Sequence, residues 1–359
     1  MSQSEVGERD VYSQLARHLD NLPAGFPATE SGVELRILRK LFTPEEAVVA
    51  PGLWMMPEPV AKIAKRLETE DSALAVRLED MSHKGLIFRM RKGDQTFYMA
   101  SQFVVGIWEY HVNDLDEELI KDVNEYVPFL MKNTWAKMET KQLRVIPISE
   151  SVPADVSIMP YEEAEKIIKS QSKIVVAPCI CRKEQKLVGK GCDNPMETCF
   201  SFGVAALYYE ENGLGRAISQ EEALKIMHVG LDAGLVLQPS NSQKSINICM
   251  CCGCCCQVLK NLKKMPQPAA MIDSNYFAEV DSGQCVACGD CAERCHMEAI
   301  EIEDTAKIDL DRCIGCGVCI PACDYDALRL RQKEKDLQFV PPETMSETYM
   351  RMVHERGKM

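Results

Sequence analysis

The sequence predicts an α+β protein of several domains, and three observations support that prediction. Helical patterns and one β-hairpin occupy the first part of the chain, a cysteine-rich α/β pattern follows, and a cysteine repeat comes near the end. A chain of 359 residues is also long enough for two or three domains. We predict three domains and a charged helical tail, at residues 1–150, 151–275, 276–332 and 333–359.

The first domain is predicted mainly from apolar spacing. Apolar residues at helical spacing predict helices at residues 11–22, 33–41, 59–67, 71–84 and 115–131. Thr43 and Glu46 flank Pro44 in the pattern of a capping box with proline at the first helical position, so a short helix begins there. Two strands are predicted on either side of the turn at Gly93.

Helices followed by a β-hairpin resemble a winged-helix domain, and many such domains bind DNA through the third helix. Here that helix, residues 71–84, is acidic, and residues 1–150 hold 24 Asp and Glu against 18 Lys and Arg. The hairpin carries a small basic wing, Arg89, Arg91 and Lys92. Because an acidic helix repels phosphate, we expect no nucleic-acid partner and assign this domain to protein docking. A redox-responsive DNA-binding regulator stays an alternative.

Residues 146–153 are predicted to be a linker into the middle domain. There a helix at 160–169 precedes a buried strand, Ile174–Val176, and the extended chain after it places Cys179 and Cys181 on one face. Cys199 is predicted to begin a helix that ends near Gly213. Ser219 caps another helix, which contains His228 and ends at Ala233.

Ten cysteines lie in this middle region, and six of them fall within eight residues, which packing alone does not explain. We predict at least one further metal centre, built from Cys179, Cys181, Cys192, Cys199, Cys249, Cys251, Cys252, Cys254, Cys255 and Cys256. Adjacent side chains diverge, so these thiols cannot all reach one metal. An iron–sulfur cluster, a structural zinc ion and a dithiol/disulfide couple all stay open. Cys251-Cys252-Gly253 also resembles a motif of heterodisulfide-reductase-type subunits.

The most informative feature is a cysteine pattern that occurs twice. Each half has the spacing C-x2-C-x2-C-x3-C, and every cysteine has its counterpart 28 positions later: Cys285, Cys288, Cys291 and Cys295, then Cys313, Cys316, Cys319 and Cys323. Apolar flanks repeat in the same register, as expected of a duplicated structural unit. Gly289, Gly315 and Gly317 allow the backbone to approach a cluster closely. Zinc ribbons have no use for a third cysteine at this spacing.

This segment, over roughly residues 276–332, resembles the bacterial two-[4Fe–4S] ferredoxins. The resemblance implies a dicluster ferredoxin-like fold in which the last cysteine of each run ligates the other cluster. By that rule one cluster is held by Cys285, Cys288, Cys291 and Cys323, and the other by Cys313, Cys316, Cys319 and Cys295. The family usually has proline after the fourth cysteine, whereas His296 and Asp324 stand there, so cluster potential and stability are in question.

Composition sets the remaining expectations. The net charge of −13 suits docking to basic patches on redox partner proteins and disfavours phosphate backbones. We see no signal segment and no apolar run of about 20 residues, so we expect no membrane span and a reducing cytoplasm. The tail after residue 332, broken by Pro341 and Pro342, suits either solvation or partner docking.

We therefore predict an iron–sulfur electron-transfer protein with two [4Fe–4S] clusters and a further thiolate-ligated centre. The whole arrangement resembles multi-cluster iron–sulfur proteins of anaerobic microbes. An oxidoreductase that reduces a substrate at the extra centre is the second hypothesis. No glycine-rich nucleotide motif supports a flavin or nicotinamide, so electrons would come from another subunit.

Overall fold

The structure is a computed structural model that describes residues 3–153, 156 and 158–358. The chain divides into two compact units. The first unit comprises Met1–Glu139, Leu207–Leu214 and Met350–Met359. The second comprises Thr140–Ala206 and Gly215–Tyr349. Apart from Leu207–Leu214, the cysteine-rich middle region therefore belongs to the same unit as the cysteine repeat. The finer domain boundaries predicted from the sequence stay a prediction.

The first 139 residues are mainly helical and contain one small sheet. Their helices are α1 (Gln3–Asn21), α2 (Val33–Leu41), α3 (Pro44–Val49), α4 (Val60–Leu67), α5 (Asp71–His83), α6 (Trp108–Tyr110) and α7 (Glu117–Asn133). Their strands are β1 (Glu58–Pro59), β2 (Ile87–Lys92) and β3 (Gln95–Ala100). The predicted helices and the hairpin are present, although α1 begins before residue 11 and the short helix α6 was not predicted.

Local signals explain where these helices begin. At α3 the Thr43 hydroxyl accepts a hydrogen bond from the Glu46 amide, and the Glu46 carboxylate accepts one from the Thr43 amide. At α7 the Asp116 carboxylate accepts from the Leu119 amide. The capping box predicted from the sequence is thus confirmed.

The small sheet is antiparallel, with the strand order β1-β3-β2. The predicted basic wing is not free. Arg89 is only 2% exposed, and its guanidinium donates to the carboxylates of Glu79 and Glu211. Arg91 donates to the same two carboxylates. Two of the three wing charges are therefore neutralised within the unit, although the likeness to a winged-helix domain itself stays a prediction.

The predicted tail forms a helix, α14 (Met345–Glu355), but it is not a solvated segment. Thr348, Met352 and Val353 are buried in that helix. The Thr348 hydroxyl donates to the carbonyl of Asn241 in the second unit. Arg356 donates to the Leu22 carbonyl in the first unit. The buried apolar residues of this helix, such as Met352 and Val353, were the feature of the sequence that argued against a fully solvated tail.

The second unit combines a five-stranded sheet with short helices and two small two-stranded sheets. The elements of the middle region are α8 (Ala164–Lys169), β4 (Ile174–Pro178), α9 (Ile180–Leu187), β5 (Glu197–Phe202), α10 (Gly203–Glu211, which continues into the first unit), β6 (Arg216–Ile218), α11 (Gln220–Asp232), β7 (Val236–Pro239), β8 (Asn247–Cys251) and α12 (Gln257–Leu262). The elements of the repeat are β9 (Tyr276–Val280), α13 (Asp290–Arg294), β10 (Ile300–Ile302), β11 (Ala306–Ile308) and β12 (Leu328–Gln332).

The five-stranded sheet is antiparallel, with the order β6-β4-β5-β8-β7. One face carries the hydrophobic core of this region, where Val176, Phe200 and Met250 pack with residues of α8 and α11. Because side chains alternate along a strand, the residues between these apolar ones point to the opposite face. On β5 and β8 those residues include Cys199, Cys249 and Cys251.

The repeat folds as two interleaved halves. Strand β9 of the first half pairs with β12 of the second, and β10 pairs with β11. Residues 146–153, predicted to be a linker, instead pack in this unit. Ile146 and Ile148 are buried, and the Ile148 amide donates to the carbonyl of Cys316. In the part of the chain that the structure describes, no helix has both the length and the apolar character that a bilayer crossing requires.

Candidate metal centres

The eight cysteines of the repeat line two separate cavities. The first cavity, of about 330 Å³ including its open part, is lined by Cys285, Cys288, Cys291 and Cys323. The second cavity, of about 390 Å³, is lined by Cys295, Cys313, Cys316 and Cys319. Each cavity is therefore surrounded by four sulfurs, three from one run of the repeat and the fourth from the other.

Glycines shape the loops that surround these cavities. Gly289, Gly315 and Gly317 have φ of 95°, 66° and 79°, left-handed conformations that glycine adopts readily. A Cβ at Gly315 would overlap the carbonyl of Tyr276, and one at Gly317 would lie 2.9 Å from the Leu330 side chain. Only glycine lets the second loop lie this close to strands β9 and β12.

Backbone amides donate to the cysteine sulfurs in a symmetric pattern. The Ala306 amide lies 3.3 Å from Cys285 Sγ, and the Ala278 amide lies 3.4 Å from Cys313 Sγ. The two donors, Ala278 and Ala306, are 28 residues apart, and so are the two acceptors, Cys285 and Cys313, which is the period of the repeat. Such N–H···S bonds stabilise negative charge on a sulfur ligand and tune the potential of a bound cluster. The duplication therefore extends to the polar surroundings of the thiols.

The two cavities differ in exposure. Cys288 in the first cavity is exposed. In the second, burial raises the pKa of the Cys316 thiol to about 12 and raises the pKa of Cys319 well above its usual value. A buried thiol loses its proton to solvent readily only where a cation compensates the thiolate charge, so metal binding in the second cavity would release protons.

His296, which stands where the family usually has proline, is not a free surface residue. It also lines the second cavity. Its Nε2 lies 2.7 Å from the carbonyl oxygen of Gly234. Burial lowers the pKa of the imidazole, so the neutral ring donates this hydrogen bond. This hydrogen bond fixes the orientation of the ring through Nε2.

His228 lies on α11 with its side chain half exposed, 3.9 Å from a carboxylate oxygen of Glu165.

Four of the upstream cysteines converge on one point. We call the set Cys192, Cys252, Cys254 and Cys255 the sulfur quartet; all four Sγ atoms lie within 4.8 Å of one another. The Sγ–Sγ distances are 3.9 Å between Cys192 and Cys252, 3.6 Å between Cys255 and Cys192, and 3.7 Å between Cys254 and Cys255.

These spacings discriminate between kinds of metal site. Metal–sulfur bonds of ~2.3 Å place the corners of a tetrahedron about 3.8 Å apart. A cubane puts four iron ions between its thiolates and so holds them farther apart. Among the described residues the quartet is the one group of metal-ligating side chains that converges this closely. Its geometry fits a single tetrahedral ion.

The other six upstream cysteines form a connected line that we call the sulfur row. In order of contact its members are Cys179, Cys181, Cys256, Cys251, Cys249 and Cys199. Sheet register creates half of this row, because Cys199 stands directly opposite Cys249 on neighbouring strands. Cys251 lies two residues farther along the same strand and hence on the same face.

The other half of the row comes from helix starts, which corrects two predictions. Cys179 precedes α9, and Cys181 lies in its first turn, so the two thiols are not on an extended strand. Their sulfurs nevertheless make contact. Cys199 lies within strand β5 and does not begin a helix; that helix begins at Gly203. Cys256 immediately precedes α12.

Arg182 is a residue that the sequence analysis missed. Its side chain is fully buried, and its guanidinium donates to the Met250 carbonyl at 3.2 Å, to Cys252 Sγ at 3.8 Å and to the Thr198 hydroxyl. None of these partners is a carboxylate. Burial lowers the pKa of this group, but negative charge on Cys179, Cys251 and Cys252 raises it more, so the pKa ends above its ordinary value. Its position next to Cys181 was the only signal in the sequence.

The quartet and the second cavity meet at one glycine. Gly253 lies between two quartet cysteines, and a Cβ there would come within 2.9 Å of both the Cβ and the carbonyl oxygen of His296. His296 directly follows Cys295, which lines the second cavity. The glycine of the Cys-Cys-Gly motif thus permits close packing of two cysteine-bearing segments.

Comparison with known proteins locates one family in this chain. Residues 284–327 match the family described as the 4Fe-4S dicluster domain, which implies [4Fe–4S] clusters in this segment. Neither the curated proteins nor the solved structures contain a match to the chain. The C-terminal part of this iron–sulfur protein is therefore similar to a 4Fe-4S dicluster domain.

Proposed function

We propose that this chain is an electron-transfer protein that carries two [4Fe–4S] clusters and a third, thiolate-ligated metal centre, and that it exchanges electrons with a redox partner protein. The observation that carries the proposal is the division of the eight repeat cysteines between two cavities, three from one run and the fourth from the other. This is the crossed arrangement expected of two-cluster ferredoxins.

When bound, such clusters supply reversible one-electron transfer. The chain's own residues would hold them with Cys285, Cys288, Cys291 and Cys323 in the first cavity and with Cys313, Cys316, Cys319 and Cys295 in the second. The amides of Ala278 and Ala306 would stabilise charge on ligating sulfurs. Burial of Cys319 and partial burial of Cys316 would limit the access of water to the second site.

We place the third centre in the sulfur quartet, as a single ion held by four thiolates. Its sulfur spacings support this assignment. Asn194 Nδ2 lies 3.3 Å from Cys192 Sγ and would fix that ligand. Iron in this position could pass one electron, whereas zinc has no redox chemistry and would make the centre structural. Contact between Gly253 and His296 supports a short path from this centre to the second cavity.

The partner is proposed from charge alone. With a net charge of −13, the chain suits a basic docking surface on an oxidoreductase subunit. The pairing of Arg89 and Arg91 with Glu79 and Glu211 supports the expectation that nucleic acid is not the partner. Thiols in such number also favour the reducing cytoplasm.

An anaerobic redox titration tests the proposal. The chain is reconstituted with ferrous iron and sulfide and titrated while its optical and EPR spectra are recorded. We expect about eight iron and eight sulfide in the repeat and two one-electron steps. Zinc without acid-labile sulfide, or a chain that takes up no electrons, would overturn the proposal.

A further inference from the structure

The sulfur row has no role in any of the three proposed metal centres. Its six thiols contact one another in sequence, yet they belong neither to the quartet nor to the two cavities of the repeat. Cys251 and Cys256 are only 5% exposed. Free cysteines do pack as small apolar residues, but a continuous line of six sulfurs across a sheet face and two helix starts is more than packing requires.

Polar donors are directed at this row. Gln238 Nε2 lies 3.8 Å from Cys256 Sγ, and Asn247 Nδ2 lies 3.7 Å from Cys249 Sγ. Backbone amides of Val258 and Leu259 also donate to Cys256. A neutral thiol is a weak acceptor, whereas a metal-bound thiolate is a strong one. The arrangement of donors therefore fits sulfurs that carry negative charge.

A buried cation stands beside the same sulfurs. Arg182 directly follows Cys181, and it donates to the carbonyl of Met250, which lies between Cys249 and Cys251. A fully buried guanidinium is strongly unfavourable unless an anion compensates it, and among the described residues its hydrogen-bond partners include no carboxylate. Cys179, Cys251 and Cys252 lie near this guanidinium and would compensate it as thiolates.

The shape of the row indicates what it would hold. Although each sulfur contacts the next, the described residues of the row do not converge into a group of four within 4.8 Å, as the quartet does. One tetrahedral ion takes four ligands from such a compact group. Six ligands in a line suit several ions joined by bridging sulfur.

We propose that the sulfur row is a separate metal site, in which Cys179, Cys181, Cys256, Cys251, Cys249 and Cys199 hold a polynuclear iron–sulfur cluster. Each thiol that becomes a ligand releases its proton to solvent, and no electron is transferred in assembly from ferrous iron and sulfide. The inference rests on the proposed function only in that the chain must be one that binds iron and sulfide.

This site and the quartet are neighbours along the chain. Cys251 is bonded to Cys252 and Cys255 to Cys256, so consecutive Cα atoms about 3.8 Å apart belong to different sites. Adjacent side chains diverge, and each pair therefore sends one sulfur to the row and one to the quartet. The row would thus extend a line of metal sites that continues through the quartet, Gly253 and His296 to the second cavity.

The test compares metal and sulfide content in matched variants of the full chain. Each is reconstituted anaerobically with ferrous iron and sulfide, and iron, zinc and sulfide are quantified together with a native mass spectrum. In the Cys199→Ser/Cys249→Ser variant we expect a loss of at least about two iron with accompanying sulfide, while the quartet ion and the EPR spectrum of the repeat clusters are retained. Ser201→Ala, on the same sheet face, is the control that removes no thiol and should keep every metal.

A second variant guards against misfolding of the sheet. Cys179→Ser replaces the residue before α9 with a favoured helix cap, so the fold should persist while the row loses an end ligand. Iron and sulfide equal to wild type in both row variants would overturn the inference, and so would row cysteines that alkylate as free thiols or form disulfides in the reconstituted wild type. If the wild type lacks the repeat clusters, the proposed function fails instead, and the two failures are distinguishable by EPR.

Discussion

The C-terminal repeat and the upstream cysteine-rich region solve the same problem of gathering thiols in different ways. In the repeat, six of the eight cavity-lining cysteines come from two local loops, and only Cys295 and Cys323 cross to the other half. In the upstream region, the quartet and the row draw sulfurs from segments tens of residues apart, such as Cys192 and Cys252. Local spacing therefore specifies the first kind of site, whereas sheet register specifies the second.

Because of this difference, the repeat suits multi-iron clusters, whereas the quartet suits a single metal ion. The loops of the repeat enclose two separate cavities, whereas the turn after β8 brings three sulfurs close to that of Cys192. A substitution in the repeat should thus remove a whole cluster, and one in the quartet should remove one ion.

The largest expected effect concerns the crossed ligands of the repeat. Cys323→Ala should lose about four iron and leave the same EPR spectrum as Cys288→Ala, because both line the first cavity. Cys295→Ala should instead match Cys316→Ala. Iron quantification and EPR of the reduced variants provide the measurement.

Val286→Ala is the control for these variants, since this exposed residue lines the first cavity without offering a ligand. Uncrossed ligation would pair the spectra the other way, with Cys323→Ala resembling Cys316→Ala.

The quartet should give a smaller and simpler change. Cys254→Ala removes one corner of the tetrahedron, so we expect about one metal ion to be lost while the repeat keeps its iron and sulfide. Elemental analysis of the purified chain measures this loss. The exposed neighbour Asp193 supplies the control Asp193→Asn, and an unchanged metal content in Cys254→Ala would show that the quartet holds no metal.

Removal of the buried cation should change stability. Arg182→Met leaves the thiolates of the upstream region without their compensating charge, and we expect a loss of about 3 kcal/mol in the free energy of unfolding of the metal-loaded chain. Chemical denaturation under anaerobic conditions measures it. Arg216→Met, on the exposed β6, is the matched control, and equal losses in both variants would deny Arg182 any special role.

The smallest effect is expected where the two regions touch. Gly253→Ala forces a methyl group against His296, and we expect a cost of ~1–3 kcal/mol in unfolding free energy with a shifted EPR signal from the second cavity alone. Gly283→Ala, in an exposed loop, should change neither quantity. An equal shift in the signals of both clusters would mean that the contact does not act locally.

Much of the repeat could be predicted from the sequence, because its thiols, glycines and two-fold register all follow from local spacing. The same is true of the helix starts at Thr43 and Ser219. The upstream sites could not be predicted in the same way. Nothing along the chain shows that Cys199 faces Cys249 across two strands, since register depends on tertiary pairing.

The sequence also gives no sign of which polar side chains become buried beside the cysteines. Arg182 is an ordinary basic residue in the sequence, and only the folded chain shows that it is enclosed beside sulfur. The expectation that adjacent thiols diverge did anticipate the division of Cys251 from Cys252 and of Cys255 from Cys256. It did not anticipate that Cys254 and Cys255 would both join the quartet.

The most direct test is a Mössbauer spectrum of the chain loaded anaerobically with ⁵⁷Fe, recorded before and after reduction by dithionite. The account predicts two four-iron clusters in the repeat, each of which gains one electron, and loss of one of them in Cys291→Ala. Spectra without four-iron clusters, or a full set of clusters in Cys291→Ala, would contradict it.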